Sequence, residues 1–344
     1  MRGSYRRRPP TILDVAARAG VSKSVVSLVL RGTGYVSETK RAAVAEAVHE
    51  LGYRTNAAAR SLSESRSRTV GVVLNDMRNP WFVSAVEGLN AHLIEHAMQM
   101  LMGDLHLDSR SGRSLLDKLL EMNIEGLVLV GTMPDSPGLA AAAAQVPTVV
   151  LGAPTGPTAP GATYTVVTND DEAGARLAVE HLIALGHRAI AHVGAGDTGV
   201  GQARSRGYRA AMADAGLAKF IQESAADLTE EGGYRAGLEL MSGSNRPTAV
   251  FAVNDMAALG VMSAADEYQL ALPRDLSVVG YDNTSVAQLR RVSLTSVDNA
   301  SYSAGHRAAE LLLDRIAGRP TPLTDLLPPA LIVRSSTVPP LARS

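Results

Sequence analysis

Residues 11–31, TILDVAARAGVSKSVVSLVLR, read as two short helices joined by a tight turn. Ile12, Val15 and Ala16 are spaced to line one face of a first helix. Ala19, Gly20 and Val21 interrupt that pattern, and Gly20 can take the positive φ such a turn requires. Ser22 is a good N-cap for a second helix, whose buried stripe is Val25, Val26, Val29 and Leu30. Lys23, Ser24, Ser27 and Leu28 are left facing outward. In a helix-turn-helix the N-terminal part of the second helix enters the DNA major groove. An ordinary helical hairpin packed on another element has the same local pattern, so the rest of the chain must decide.

The stretch that follows supports the first reading. Residues 36–53, VSETKRAAVAEAVHELGY, predict a third helix with Ser37 as N-cap. Val44, Ala47, Val48 and Leu51 form its apolar face, and Gly52 ends it. Residues 56–62, NAAARSL, are helix-capable with Asn56 as cap, and the polar SESRSR after Leu62 reads as a linker. Charge is divided at the same place. Residues 1–68 hold 13 Lys and Arg against 5 Asp and Glu, a net of +8, while the remainder carries a net of −9. That asymmetry suits a basic head for a polyanion joined to an acidic body with another task. Arg6, Arg7 and Arg8, followed by two prolines, read as an arm that builds no core.

Beyond residue 68 the texture changes to alternating strands and helices. Apolar runs at 70–74, 98–102, 126–130 and 148–151 are interleaved with helical patterns at 82–96, 110–122 and 137–144. A second series opens near 164, with strand-like runs at 164–167, 189–193, 249–253 and 277–281. Its helices fall near 172–185, 202–215, 230–242 and 256–268. Such alternation predicts parallel sheets covered on both faces by helices. The expected fold class is an all-α helix-turn-helix head plus an α/β core of two parallel-sheet lobes, with ligands at the carboxyl ends of the strands.

Several functions are excluded or disfavoured. The chain has no cysteine, so it has neither disulfides nor a thiolate metal site. Its 8 histidines form no HExxH or similar cluster, and no metal site is expected. The arginines at the start precede no apolar h-region, and no run of about 18 apolar residues occurs, so neither a secretory signal nor a membrane span is expected. No catalytic arrangement stands out, and no cofactor is expected. One motif competes: Gly194, Gly196 and Gly199 make a GxGxxG directly after an apparent strand. The following helix is expected to start after Gly201, which leaves the third glycine in a loop at the cleft mouth, unable to serve helix–strand packing.

Head, hinge and two α/β lobes in this order closely resemble the Lac repressor (LacI/GalR) family of bacterial transcription regulators. The resemblance runs from about Thr11 to about Ser335. It rests on TILDVAARAGVS, LGYRTNAAARSL, NPWF at 79–82, GHRAIAHVG at 186–194, RSRGY at 204–208, ND at 254–255 and VVGYDN at 278–283. It implies a head at 1–55, a hinge helix and linker at 56–68 and a ligand-binding and dimerisation core at 69–340. Within the core, lobe one is expected at about 69–163 and 300–322 and lobe two at about 164–293 and 323–340, in a fold like that of periplasmic sugar-binding proteins.

The resemblance also implies roles. Lys23, Ser24 and Leu28 fall on the base-reading face, with Thr11, Leu13, Ser22, Ser27, Tyr35, Asn56 and Ala59 as further DNA contacts. Leu28 departs from the polar residue common there and offers only apolar contact, for instance to a thymine methyl. Leu62 aligns with the hinge leucine that wedges into the minor groove, and Thr55 stands where the family usually has proline. In the cleft the implied residues are Asn75, Trp81, Phe82, Arg204, Asn254, Asp282 and Asn299. Arg204 can donate a fork of hydrogen bonds, Asp282 can accept from two adjacent hydroxyls, and Trp81 can stack on a sugar ring. The alternatives are a surface salt bridge for Arg204, a loop cap for Asp282, core packing for Trp81 and Phe82, and a buried hinge contact for Leu62.

The expected function is therefore a sequence-specific transcriptional repressor, not an enzyme. Its partners are double-stranded operator DNA, a sugar or polyol effector and a second copy of itself, with no membrane, in the cytoplasm and on the nucleoid. The competing reading is an α/β small-molecule binding protein or nucleotide-dependent enzyme with an incidental basic N-terminus.

Overall fold

The computed structural model describes residues 8, 10–53, 66–105, 114–132, 137–152, 164–194, 196 and 198–341. They belong to two units that part between Ser67 and Arg68. Asn56, Ala59 and Leu62, with the hinge segment expected at 56–62, lie outside the described residues.

The first unit is three helices: α1 (Ile12–Ala19), α2 (Lys23–Arg31) and α3 (Glu38–Leu51). Thr11 starts α1 with a reciprocal cap. Its hydroxyl accepts from the Asp14 amide, and its own amide donates to Asp14 Oδ2 at 2.7 Å. Gly20 ends α1 at φ +65, and Ser22 Oγ accepts from the Val25 amide at 3.4 Å to start α2. Val15, Val26, Val44 and Ala47 are fully buried where the helices meet, with Ile12, Val29, Leu30, Val48 and Leu51 packed around them. Val25 is only half-buried and stands outside that cluster. Ser37 holds the N-cap position of α3, but its side chain makes no capping hydrogen bond.

The second unit holds two six-stranded sheets of matching order. In the first, β1 (Thr69–Leu74) lies between β2 (Gln99–Asp104) and β3 (Gly126–Val130), all parallel. The sheet continues through β4 (Thr148–Leu151) and β5 (Tyr164–Asn169) to β11 (Thr324–Leu327). In the second, β6 (Ile190–Gly194) lies between β7 (Gln222–Ala225) and β8 (Ala249–Ala252). It continues through β9 (Ser277–Tyr281) and β10 (Thr295–Asp298) to β12 (Ala330–Ile332), which is antiparallel. The central strands are buried on both faces, which is why they read as unbroken apolar runs.

Helices cover both faces. On the first sheet, α4 (Trp81–Glu95) and α11 (Ser301–Ile316) pack on one side, and α5 (Leu115–Glu121) with α6 (Pro137–Gln145) on the other. On the second, α7 (Asp171–Ala184) and α8 (Gly199–Asp214) face α9 (Glu230–Ser242) and α10 (Asp255–Glu267) across the sheet. The α4–α11 approach is unusually close. A Cβ on Gly88 would collide with the Tyr302 carbonyl, and one on Gly305 with the Ala85 carbonyl, so both positions require glycine.

Two expectations are corrected. The run at 164–167 opens no second series: β5 pairs with β4 and completes the first sheet, and β11 joins it from the segment expected in lobe two. A buried parallel strand carries the same apolar signature whichever sheet it enters, so the sequence pattern cannot assign it. The chain thus passes between the sheets at 169–171, 298–301 and 327–330. The second correction concerns α8, which begins at Gly199 rather than after Gly201. Thr198 is its N-cap and accepts from the Gly201 amide at 3.0 Å, so the third glycine of the GxGxxG is helical.

Candidate functional site

The carboxyl ends of β1, β3, β4 and β5 and those of β6, β8 and β9 border a cavity of about 1030 Å3. Open α/β sheets bind ligands at this end of their strands. Asn75, Trp81, Phe82, Arg204, Asn254, Asp282 and Asn299 all line it. Asn75 follows β1 directly, while Trp81 and Phe82 open α4. Asn254 and Asp282 follow β8 and β9, Asn299 follows β10, and Arg204 comes from the second turn of α8.

Arg204 is held inside the protein rather than offered whole to the cavity. Its Nε donates to Asp171 Oδ1 at 2.9 Å, and Nη2 lies 2.8 Å from the same oxygen. Nη2 also reaches Asp282 Oδ1 at 3.4 Å, and Nη1 donates to the Val253 carbonyl. The guanidinium lies 3.5 Å from the Tyr281 ring centroid. Burial works against its charge, but Asp171 and Asp282 outweigh burial and raise its pKa. The donor fork expected for a ligand is thus engaged mainly by two buried carboxylates. The salt bridge held out as its alternative exists, but in the interior rather than on the surface.

Asp282 shares that network. Burial pushes its carboxyl up to about 8, against the pull of Arg204. Its Oδ1 also accepts from Asn299 Nδ2 at 3.0 Å, which leaves Oδ2 for a ligand. The loop that carries it is strained, with Asp282 at φ +96 and Asn283 at φ +48. Surrounding bonds hold it there. Ser296 Oγ donates to Asp255 Oδ1 at 2.6 Å, while the Thr284 amide and hydroxyl donate to Asp255 Oδ2 at 2.7 and 2.8 Å. Burial raises Asp255 itself to about 6, and those hydrogen bonds oppose the rise.

Trp81 combines packing with exposure to the cavity. Its ring meets Phe82 edge-on at 5.0 Å, and its Nε1 donates to Asn299 Oδ1 at 3.2 Å. Asn254 is the N-cap of α10: its Oδ1 accepts from the Ala257 amide at 2.8 Å, and its Nδ2 donates to the Leu228 carbonyl at 3.0 Å. Its amide is therefore committed to the scaffold. Asn75 is the opposite case. Its Nδ2 donates to the Thr132 carbonyl at 3.3 Å, while its buried Oδ1 has no partner. That oxygen is covered as the side chain stands, so a ligand hydroxyl or amine pairs with it only when the amide turns toward the cavity.

The sequence reading missed Asp171, Thr132, Asn169, Asp227 and Arg235, which also line the cavity. Asn169 ends β5 and Asp171 opens α7 just after it, positions recognisable only once that strand is assigned to the first sheet.

In the head, Lys23 and Ser24 are exposed on the first turn of α2, as are Leu13 on α1 and Tyr35 after α2. Other candidate hydroxyls have internal duties. Thr11 and Ser22 cap helices, and Ser27 Oγ accepts from Arg31 Nη2 at 2.6 Å. Leu28 is half-buried. Among the described residues no helix is long and apolar enough to cross a membrane.

Comparisons with known proteins give one pattern. Residues 11–56 match the bacterial regulatory proteins of the lacI family, and residues 179–337 match the periplasmic binding protein-like domain. The chain is 34% identical over 315 residues to the HTH-type transcriptional repressor PurR of Erwinia tasmaniensis, covering 90% of this chain and 91% of that one. Among solved structures it is similar to the transcriptional regulator CelR in complex with cellobiose, at TM-score 0.70 and 32% identity over 95% of this chain and all of that one. It is also similar to the Lac repressor dimer bound to operator and the anti-inducer ONPF, at TM-score 0.82 and 26% identity over 96% and 100% of the two chains.

Proposed function

This chain belongs to the lacI family of bacterial regulatory proteins, and from that premise we propose how it works as a ligand-controlled DNA-binding transcriptional repressor. Two copies bind a roughly palindromic operator, one head per half-site, because a single head presents too few base contacts for high specificity. Lys23, Ser24 and Leu28 read bases, and Leu62 wedges at the hinge. A sugar or polyol in the core cavity changes the angle between the lobes and so changes whether two hinges can meet on DNA. The site does no catalysis, and the protein works in the cytoplasm on the nucleoid.

The observation that carries this reading is the convergence of seven side chains from six places in the chain on one cavity at the strand ends of two matching sheets. The cavity wall supplies what a polyhydroxylated ligand needs. Asn75 brings a side-chain amide, Asp282 a carboxyl oxygen not engaged by Asn299, and Trp81 an aromatic face. The cellobiose bound to the similar CelR supports the same class of effector.

The test is a thermal-shift screen of the full chain against a sugar and nucleoside panel, followed by operator titration with and without the hit. A ligand at 100 times its Kd stabilises the protein by about 2.7 kcal/mol. A sugar that raises Tm and shifts operator affinity supports the reading. Effector binding to nucleosides alone overturns the sugar assignment, and operator affinity unchanged by any bound ligand overturns the allosteric one.

A further inference from the structure

The glycine contact between α4 and α11 brings together three side chains that no sequence spacing announces. His92 lies one turn beyond Gly88 on α4, and His306 is the neighbour of Gly305 on α11. Their ring nitrogens, His92 Nδ1 and His306 Nε2, stand 3.3 Å apart although the residues are 214 positions apart in the chain. The rings meet nearly edge-on, with centroids 4.5 Å apart at 66°. Glu95, three residues beyond His92, is on the same side of α4. One ligand atom from each of the three lies within 4.8 Å of the others.

We propose that His92, His306 and Glu95 form a binding site for a divalent transition-metal ion of the zinc type, staple α4 to α11, and leave a fourth position to water. The spacing is the first argument. Two imidazole nitrogens held about 2.0–2.1 Å from one tetrahedral zinc stand about 3.3–3.4 Å apart, which matches the observed separation. The donor set is the second, since two imidazoles and one carboxylate with an open position is an established zinc coordination.

The surroundings hold the pair in place. His92 and His306 are both half-buried where α4 meets α11. His96 packs its ring against His92 at 4.4 Å and 37°, with its Nδ1 2.9 Å from the His92 carbonyl. That contact packs the His92 ring from outside. The other nearby acid, Glu310, is paired with Arg307 at 2.8 Å. The two helices are held together by their backbones rather than by the histidines, so the pair is preformed.

The experiment is calorimetric titration of the tag-free, full-length chain with zinc chloride at neutral pH, repeated with cobalt, whose visible spectrum reports coordination. The expected result is one zinc per chain, a tetrahedral cobalt spectrum, and affinity at least tenfold weaker in both His306→Ala and Glu95→Gln. Glu95 is exposed, so Glu95→Gln tests the site without disturbing packing, and metal-free melting curves verify that both variants fold. No zinc binding by the parent overturns the proposal, as does zinc binding with equal affinity in Glu95→Gln or an octahedral cobalt spectrum.

Discussion

The indole nitrogen of Trp81 donates to the side-chain oxygen of Asn299 at 3.2 Å, across 218 residues of sequence. Trp81 opens α4 on the first sheet, and Asn299 lies on a connection between the sheets. The same asparagine amide donates to Asp282, at the end of β9 in the second sheet. One side chain therefore ties a wall of each lobe to the other at the edge of the cavity. In the proposed mechanism this tie is where a ligand in the cavity acts on the lobe angle.

Asn299→Ala cuts that tie. It leaves the Trp81 N–H without its acceptor and Asp282 without one donor, at a cost of about 1–3 kcal/mol. Trp81 is the only tryptophan, so its emission reports the change directly. We expect a shifted emission maximum, a lower urea midpoint and a weaker operator response to the effector. An unchanged spectrum and midpoint would show that the pair contributes nothing in solution.

Arg204→Ala is expected to be a stability variant before it is a binding variant. It strands Asp171 in the interior without its counter-charge and takes a donor from Asp282, which typically costs about 3–5 kcal/mol. Chemical denaturation measures this. A loss under about 1 kcal/mol would mean that the pair is solvated or rearranged, because exposed pairs contribute only that much.

Asn75 and Asn254 separate ligand binding from scaffold. Asn254→Ala removes the α10 cap and should cost about 0.5–2 kcal/mol of stability, much of it restored by Asn254→Asp, whose carboxylate also caps. Asn75→Ala removes an unpaired buried oxygen and should change stability by under about 1 kcal/mol, while weakening the effector response. Paired melting and operator-titration curves decide it, and the reverse pattern would move the binding role to Asn254.

The head and the existence of the two sheets were legible from sequence because their signals are local. Gly20 with Ser22 marks a turn and a cap within a few residues, and unbroken runs such as 126–130 mark doubly buried strands. Seven cleft residues were legible only through resemblance, since their convergence spans positions 75 to 299. What stayed hidden is what pairing decides. Nothing in Tyr164–Asn169 says which sheet it joins, so Asp171 was not placed beside Arg204. Nor does sequence show that Asn254 spends its amide on a helix cap, or that His92 and His306 meet across two helices.

His192 makes one separable contribution to stability against acid. This side chain is fully buried, stacked on Phe251 at 4.8 Å, and burial lowers its pKa from 6.5 to about 4. Between those values the unfolded chain binds the proton and the folded protein does not, so this contribution to stability is lost as pH falls. Asp255 and Asp282 are raised and have the opposite sign, favouring the folded state as pH falls through about 6 and about 8. The histidine is isolated by comparing the parent with His192→Leu. From pH 7.5 to about 5.5 the parent should lose about 1.4 kcal/mol more than the variant. Parallel curves would mean that His192 is protonated in the folded state.

The last expectation concerns the head. Lys23 is exposed on the first turn of α2, the part of a recognition helix that contacts base edges, and its ammonium can donate to guanine O6 or N7. A base contact and a phosphate contact differ in what their loss does. If Lys23 reads a base, Lys23→Ala costs about 1–3 kcal/mol on the operator and relaxes preference at one position in each half-site. If it touches only phosphate, the loss is uniform across sequences and the salt slope of log K against log salt falls by about 1. Gel-shift titrations on the operator, on single-base variants and on unrelated DNA at several salt concentrations separate the two. We expect the sequence-dependent loss, and a uniform loss with a reduced slope would place Lys23 on the backbone instead.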